Sequence, residues 1–129
     1  MNTPLRAAAL ALWFAVAAGA QNGAYVQDSK WTSPESAAAR SNPLAGHEEA
    51  LGGGGKLFRR HCVECHGVDG TGKKKAANLT LPIVQSQSDG TLHWKITNGN
   101  PDRGMPSFSR LPELQRWQIV LYLRTLTSP

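Results

Sequence analysis

This 129-residue chain has few of the residues that cross-link a fold or fill a large core. It carries two cysteines, two methionines, two tyrosines and three phenylalanines. Two cysteines are too few for a disulfide scaffold and for a four-cysteine zinc site. Acidic residues are scarce as well, with 9 Asp and Glu against 14 Lys and Arg, for a formal net charge of +5. That balance suits nucleic acid, an anionic membrane or an acidic protein equally, so it decides nothing alone. No internal repeat is visible. A content of 40% hydrophobic and 18% charged residues excludes both a wholly disordered chain and a polytopic membrane protein. What remains is one small domain with room for a targeting segment.

The N-terminus reads as that segment. Met1 to Arg6 is a short positive stretch, Ala7 to Ala18 is apolar, and Ala18-Gly19-Ala20 places small residues two apart. These are the three parts of a secretory signal. The apolar run is too short for a spanning helix, which needs about 20 apolar residues. No cysteine follows the cleavage point to take a lipid. The competing reading is an uncleaved membrane anchor. Residues 1–20 are therefore expected to be a signal peptide and the remainder to be exported. Residues 21–45 hold few hydrophobic side chains, among them Trp31, and are expected to form an extended arm or linker, with Trp31 pinned to the domain surface. The compact domain is expected over 46–129, and a domain that small needs a staple, a metal or a cofactor to complete its core.

Three helices are legible, and the fold class is all-α. The first runs from about His47 to Arg60 and contains four consecutive glycines, Gly52 to Gly55, each costing on the order of 1 kcal/mol relative to alanine. The second covers about Gly90 to Asn98, with Asp89 as N-cap and Gly99 as stop. The third runs from Pro112 to about Leu126, with Leu114, Trp117, Ile119, Leu121, Tyr122 and Leu126 on a wide apolar face. Segments 66–88 and 99–111 are rich in Gly, Pro, Asn and Ser and show no strand alternation, so they read as long functional loops.

Cys62-Val63-Glu64-Cys65-His66 carries the chemistry. Two cysteines three apart followed at once by histidine match the c-type haem attachment pattern. The spacing lets both sulfurs form thioethers to the vinyl groups on one porphyrin edge and brings the His66 imidazole to the iron. A thioredoxin-like dithiol would want a βαβ pattern around the pair. A zinc site would want further ligands at metal spacing. A disulfide between Cys62 and Cys65 is open to an exported chain but leaves His66 without a role.

Over about residues 46–126 the chain resembles the class I cytochromes c, of the mono-haem bacterial periplasmic type. The resemblance rests on Cys62 to Gly67, on Asn98-Gly99 leading into Gly104-Met105-Pro106-Ser107-Phe108, and on Arg116 to Arg124. It implies a cytochrome c-like fold, three main helices and long loops wrapped around one covalent haem. It also implies His66 as proximal iron ligand and Met105 as distal ligand. Met105 is the only thioether left once Met1 departs with the signal, and it sits in a Gly-Met-Pro loop rather than on an apolar helical face. His93 is the rival sixth ligand, although on a helix beside Trp94 it suits a partly exposed or hydrogen-bonded histidine. His47 and His61 read as surface residues.

The family's crossing of first and last helices maps onto Gly54 and Phe58 against Ile119 and Tyr122, where a missing Cβ lets two backbones approach. Gly52, Gly53 and Gly55 have no such role in the sequence. Lys73-Lys74-Lys75 stands where many relatives carry a proline whose neighbourhood supplies a carbonyl to the proximal imidazole. A backbone carbonyl is still expected to orient His66. The lysine run reads as a solvated loop or as a docking patch for an acidic redox partner. Trp94 and Arg103 are candidates for haem contacts.

The expected function is a periplasmic electron carrier, not an enzyme, with one haem c and His/Met ligation. Its expected partners are redox proteins, namely an exported dehydrogenase or a membrane oxidase or reductase. Nucleic acid and stable membrane insertion after processing are not expected. Two other readings stand beside it. One is a haem sensor or weak peroxidase with an open sixth position. The other is a haem subunit bound to an exported dehydrogenase, tethered by the 21–45 arm.

Overall fold

The computed structural model describes residues 26–73 and 76–127, and the expected signal peptide lies outside them. Six α-helices follow in chain order: α1 (Glu35–Ala38), α2 (Glu48–His61), α3 (Val63–His66), α4 (Pro82–Gln85), α5 (Asp89–Asn98) and α6 (Glu113–Leu123), with a 3-10 turn at Pro101–Arg103. Among the described residues the only β pairing is an isolated bridge between Asn100 and Met105. No described helix is long and apolar enough to cross a membrane.

α2 holds together despite its glycines because its ends match its dipole. Glu48 and Glu49 sit in the first turn, and Arg59, Arg60 and His61 in the last. Its packing then explains three of the four glycines. A Cβ on Gly54 would lie 2.1 Å from the Gln118 carbonyl oxygen of α6, so no side chain fits where the two backbones cross. Added carbons on Gly53 and Gly55 would meet the Gln118 and Tyr122 side chains, whereas Gly52 faces open space. Four residues on from Gly54, Phe58 is fully buried and packs its ring 5.2 Å from Tyr122. The expected helix crossing is present, and it is broader than one glycine.

α5 starts one residue earlier than expected. Ser88, not Asp89, is its N-cap, and its hydroxyl accepts from the Thr91 amide at 3.1 Å. Asp89 instead bonds the Arg124 guanidinium at 2.8 Å. α6 ends at Leu123 rather than Leu126, because the Thr125 and Leu126 amides bond three residues back, to Tyr122 and Leu123. Leu126 still joins the core with Phe58, Val84, Leu92, Ile96, Trp117, Ile119, Val120 and Leu123. Leu114, expected on the apolar face, is 54% exposed. It lies one turn before the helix meets α2.

The described part of the expected arm, residues 26–45, is stitched to the domain. Asn42 is buried and donates from its side chain to the Trp117 carbonyl at 3.1 Å. The Ser33 and Thr91 hydroxyls meet at 2.8 Å, Ser88 donates to the Ala38 carbonyl, and Arg40 pairs with Glu113. Polar side chains bonding to helix ends and carbonyls do here what apolar burial does elsewhere. That is why a segment poor in hydrophobic residues is nevertheless ordered against α5 and α6.

Candidate functional site

The helices enclose a cavity of about 620 Å³. Phe58 and Ile119 line it from the α2/α6 crossing, Leu92 and Ile96 from α5, and Val84 and Leu123 complete its apolar wall. Cys62, Cys65, His66 and Met105 all open onto this one space. Four residues that the sequence separates by up to one third of the chain are thus brought to a single site.

The cysteine motif folds as a tight turn after α2. The Cys62 carbonyl accepts from the Cys65 and His66 amides at 3.2 and 2.9 Å. The loop beyond closes back onto the motif, with the Gly72 amide on the His66 carbonyl at 2.7 Å and the Lys73 amide on the Cys65 carbonyl at 2.9 Å. Gly72 has a φ of +87°, and a Cβ there would lie 2.6 Å from the Ala76 carbonyl oxygen. Only glycine allows this turn to close. Its closure carries Ala77 to the histidine, where Nδ1 of His66 donates to the Ala77 carbonyl at 2.9 Å. The carbonyl expected but not nameable from the sequence is that of Ala77.

This contact determines what His66 offers. With the proton on Nδ1, the lone pair stays on Nε2, the form of imidazole that binds metals. Burial holds the His66 pKa below its ordinary value, against the opposing pull of Ala77, so the ring is kept neutral. Burial, with the neighbouring Cys65, pushes the Cys62 thiol up to about 12. Neither cysteine is in a disulfide.

Met105 comes from the other loop. The Asn100 amide donates to the Met105 carbonyl at 2.9 Å and the Met105 amide to the Asn100 carbonyl at 3.1 Å, closing a turn around Pro101–Arg103. After Met105 the chain is tied back to α5 by Ser107 Oγ on the Thr97 carbonyl and the Phe108 amide on the Ile96 carbonyl.

Of the two candidates for haem contacts, Arg103 lines the cavity and Trp94 does not. On α5 the cavity-facing positions are Leu92, Lys95 and Ile96, and Trp94 lies about 200° around the helix from Leu92. Trp31, from the segment read as an arm, lines the cavity instead. His93 does not line it either. It is buried, 4% exposed, and stacks on Trp117 with ring centroids 3.9 Å apart. His61, read as a surface residue, is half-buried on the cavity wall and meets Phe108 edge-on. His47 is exposed beside Glu49. Lys73 stands exposed at the cavity's edge, and Lys74 and Lys75 lie outside the described residues. Lys95 is the buried cation that the sequence reading missed, since its spacing from Leu92 is the only signal.

The donor set fits an iron porphyrin. A neutral, oriented imidazole and a soft thioether share an apolar space with two thiols at attachment spacing. An apolar-walled space of this size in so small a domain leaves its core incomplete unless something fills it. The fold is built around a guest.

Residues 49–123 match the family model described as cytochrome c oxidase, cbb3-type, subunit III. The chain belongs to this family and is a class I cytochrome c. Among solved structures it is similar to the KustC0563 c-type cytochrome, with 28% identity and a TM-score of 0.53 over 58% of this chain and 98% of that one. A search of the curated proteins finds no match. The all-helical architecture is that of a cytochrome c, and membership implies covalently bound haem c and a role in electron transport. Both comparisons cover little more than half of the chain, and the matched family region begins beyond residues 26–45.

Proposed function

We propose that this cytochrome c is an exported single-haem electron carrier, in which Cys62 and Cys65 would hold the haem as thioethers and His66 and Met105 would hold its iron. The observation that carries the reading is the sharing of one apolar cavity by a neutral, carbonyl-oriented imidazole and a methionine held in a backbone-bridged turn. Bound haem supplies the one-electron couple. The His66 Nδ1 bond to Ala77 leaves Nε2 free to hold the iron, and Met105 would offer a weakly basic sulfur, a donor that would favour the reduced metal. The apolar wall excludes water and lowers the local dielectric, which further disfavours the more highly charged oxidised state. With both ligand positions supplied by the chain, a carrier is favoured over a peroxidase or gas sensor.

Residues 1–20 support export into the periplasm. The family model takes its name from an oxidase subunit, which makes a membrane oxidase or another redox protein the natural partner class. Lys73, at the cavity's edge, opens the basic run that continues in the sequence as Lys74 and Lys75, and this run would dock an acidic partner through steering that salt would screen. The free carrier is preferred to a bound subunit because residues 26–45, the described part of the expected tether, bond to the chain's own domain.

The deciding experiment is the optical spectrum of the ferric holoprotein. A sulfur-to-iron charge-transfer band is expected, is lost in Met105→Ala, and is accompanied by failure of the ferrous wild type to bind carbon monoxide. A wild-type protein that lacks the band and binds carbon monoxide readily would replace the carrier with a sensor or peroxidase.

A further inference from the structure

The short segment 26–31 precedes the region that the family shares, yet its contacts converge on the turn that presents Met105. The Trp31 indole donates to the Gly99 carbonyl at 3.0 Å. Asp28 accepts from the Asn100 side chain at 3.2 Å. Arg103 donates to the Val26 carbonyl at 2.6 Å. The buried Lys95 ammonium sits 4.6 Å from the centroid of the Trp31 ring. All four contacts land between Lys95 and Arg103, and Asn100 is the residue whose backbone is bridged to Met105. Gln27 and Trp31 also line the cavity onto which Met105 opens.

The turn needs such fastening. The Ser107 and Phe108 bonds to α5 hold the chain after Met105, but before it the turn has only the Asn100–Met105 bridge and a single 3-10 turn of its own, and Gly104 beside it is exposed. An indole hydrogen bond and a cation–π contact contribute more when they are sheltered from water. Trp31 and Lys95 provide both at a partly buried position.

We propose that residues 26–31 form a strap that fixes the Met105 turn, with Trp31 as a positioning residue that sets how firmly the methionine sulfur is held at the site. The proposal rests on Met105 being the distal ligand. Trp31 touches Gly99 and Lys95 and acts on Met105 through the Asn100 bridge. Loss of the strap frees the turn to swing away, so a competing ligand reaches the vacated position more easily.

The test uses the full-length ferric holoprotein with Trp31→Phe, which removes the indole donor but keeps an aromatic face for Lys95, and Trp31→Ala, which removes both. Ser33→Ala serves as the control, because Ser33 lies on the same segment but contacts Thr91 rather than the turn. Imidazole is titrated against the sulfur-to-iron band, and helix melting is followed in parallel. Imidazole is expected to bind about tenfold more tightly to Trp31→Ala and several-fold more tightly to Trp31→Phe. Ser33→Ala should bind it like the wild type, even where its melting falls as far. If Trp31→Phe and Trp31→Ala keep the band and bind imidazole like the wild type, the strap is overturned while the ligation stands. Equal tightening in Ser33→Ala would also overturn it, by showing a general loosening. A wild type without the band removes the ligation and the strap together.

Discussion

The two walls of the site are held in different ways. On the His66 side, every fastening is local and mostly backbone: Cys62 to Cys65 and His66, Gly72 to His66, Lys73 to Cys65, and Ala77 to the imidazole. The Met105 turn has its own backbone bridge and the Ser107 and Phe108 bonds to α5, but it is also fastened from far along the chain: the Trp31 indole and the Asp28 carboxylate reach Gly99 and Asn100, and the Arg103 guanidinium reaches the Val26 carbonyl. A locally closed loop forms its contacts at small entropic cost, whereas a remotely fastened one depends on the rest of the fold being in place. The attachment side is thus the part that should order first. The methionine side is where local opening should begin.

Breaking the attachment chemistry gives the largest effect. Cys62→Ser combined with Cys65→Ser should abolish covalent haem, read as loss of haem stain after denaturing electrophoresis, while leaving the methionine turn's sequence untouched. Gly72→Ala should come next. It forces a strained φ and sets a Cβ against the Ala76 carbonyl, for a loss of about 2–4 kcal/mol in denaturant unfolding. On the other wall, Trp31→Phe removes one hydrogen bond and should cost only about 1 kcal/mol of stability. A loss as large as that of Gly72→Ala would contradict the contrast between the two walls.

The smallest effect sharpens the same contrast through pH. Burial lowers the His93 pKa, with Arg116 and Arg40 adding to the shift and Glu113 opposing it. The folded chain therefore holds fewer protons on His93 than the unfolded chain, whose histidine titrates near 6.5. His93 costs the fold nothing above about pH 6.5, and stability falls as the pH drops from there toward the lowered folded value. Melting should decline gradually over that window, and His93→Phe should flatten the decline. His93 sits on α5, the helix that leads into the methionine turn, so the sulfur-to-iron band should weaken before helix content is lost.

What was legible in the sequence follows the same division. Cys62, Cys65, His66 and Met105 could be named because their chemistry demands those side chains and almost no others. The Ala77 carbonyl could not, since every residue carries one and only the fold of the Gly70-to-Leu79 loop selects it. Trp94 was the natural aromatic to expect near the site, but helix phase turns it away from Leu92 and Ile96. Trp31 takes its place from a segment whose poverty in hydrophobic residues hid its many polar bonds to α5 and α6. Gly54 was readable from its register with Phe58, whereas Gly53 and Gly55 gain meaning only against Gln118 and Tyr122.

The apolar cavity also bears on how the protein matures. A polypeptide that misses its cofactor has no side chains of its own to fill this space, so it should be looser and more open to proteases than the loaded one. The steady-state amount of this protein should then track the supply of haem rather than the supply of messenger.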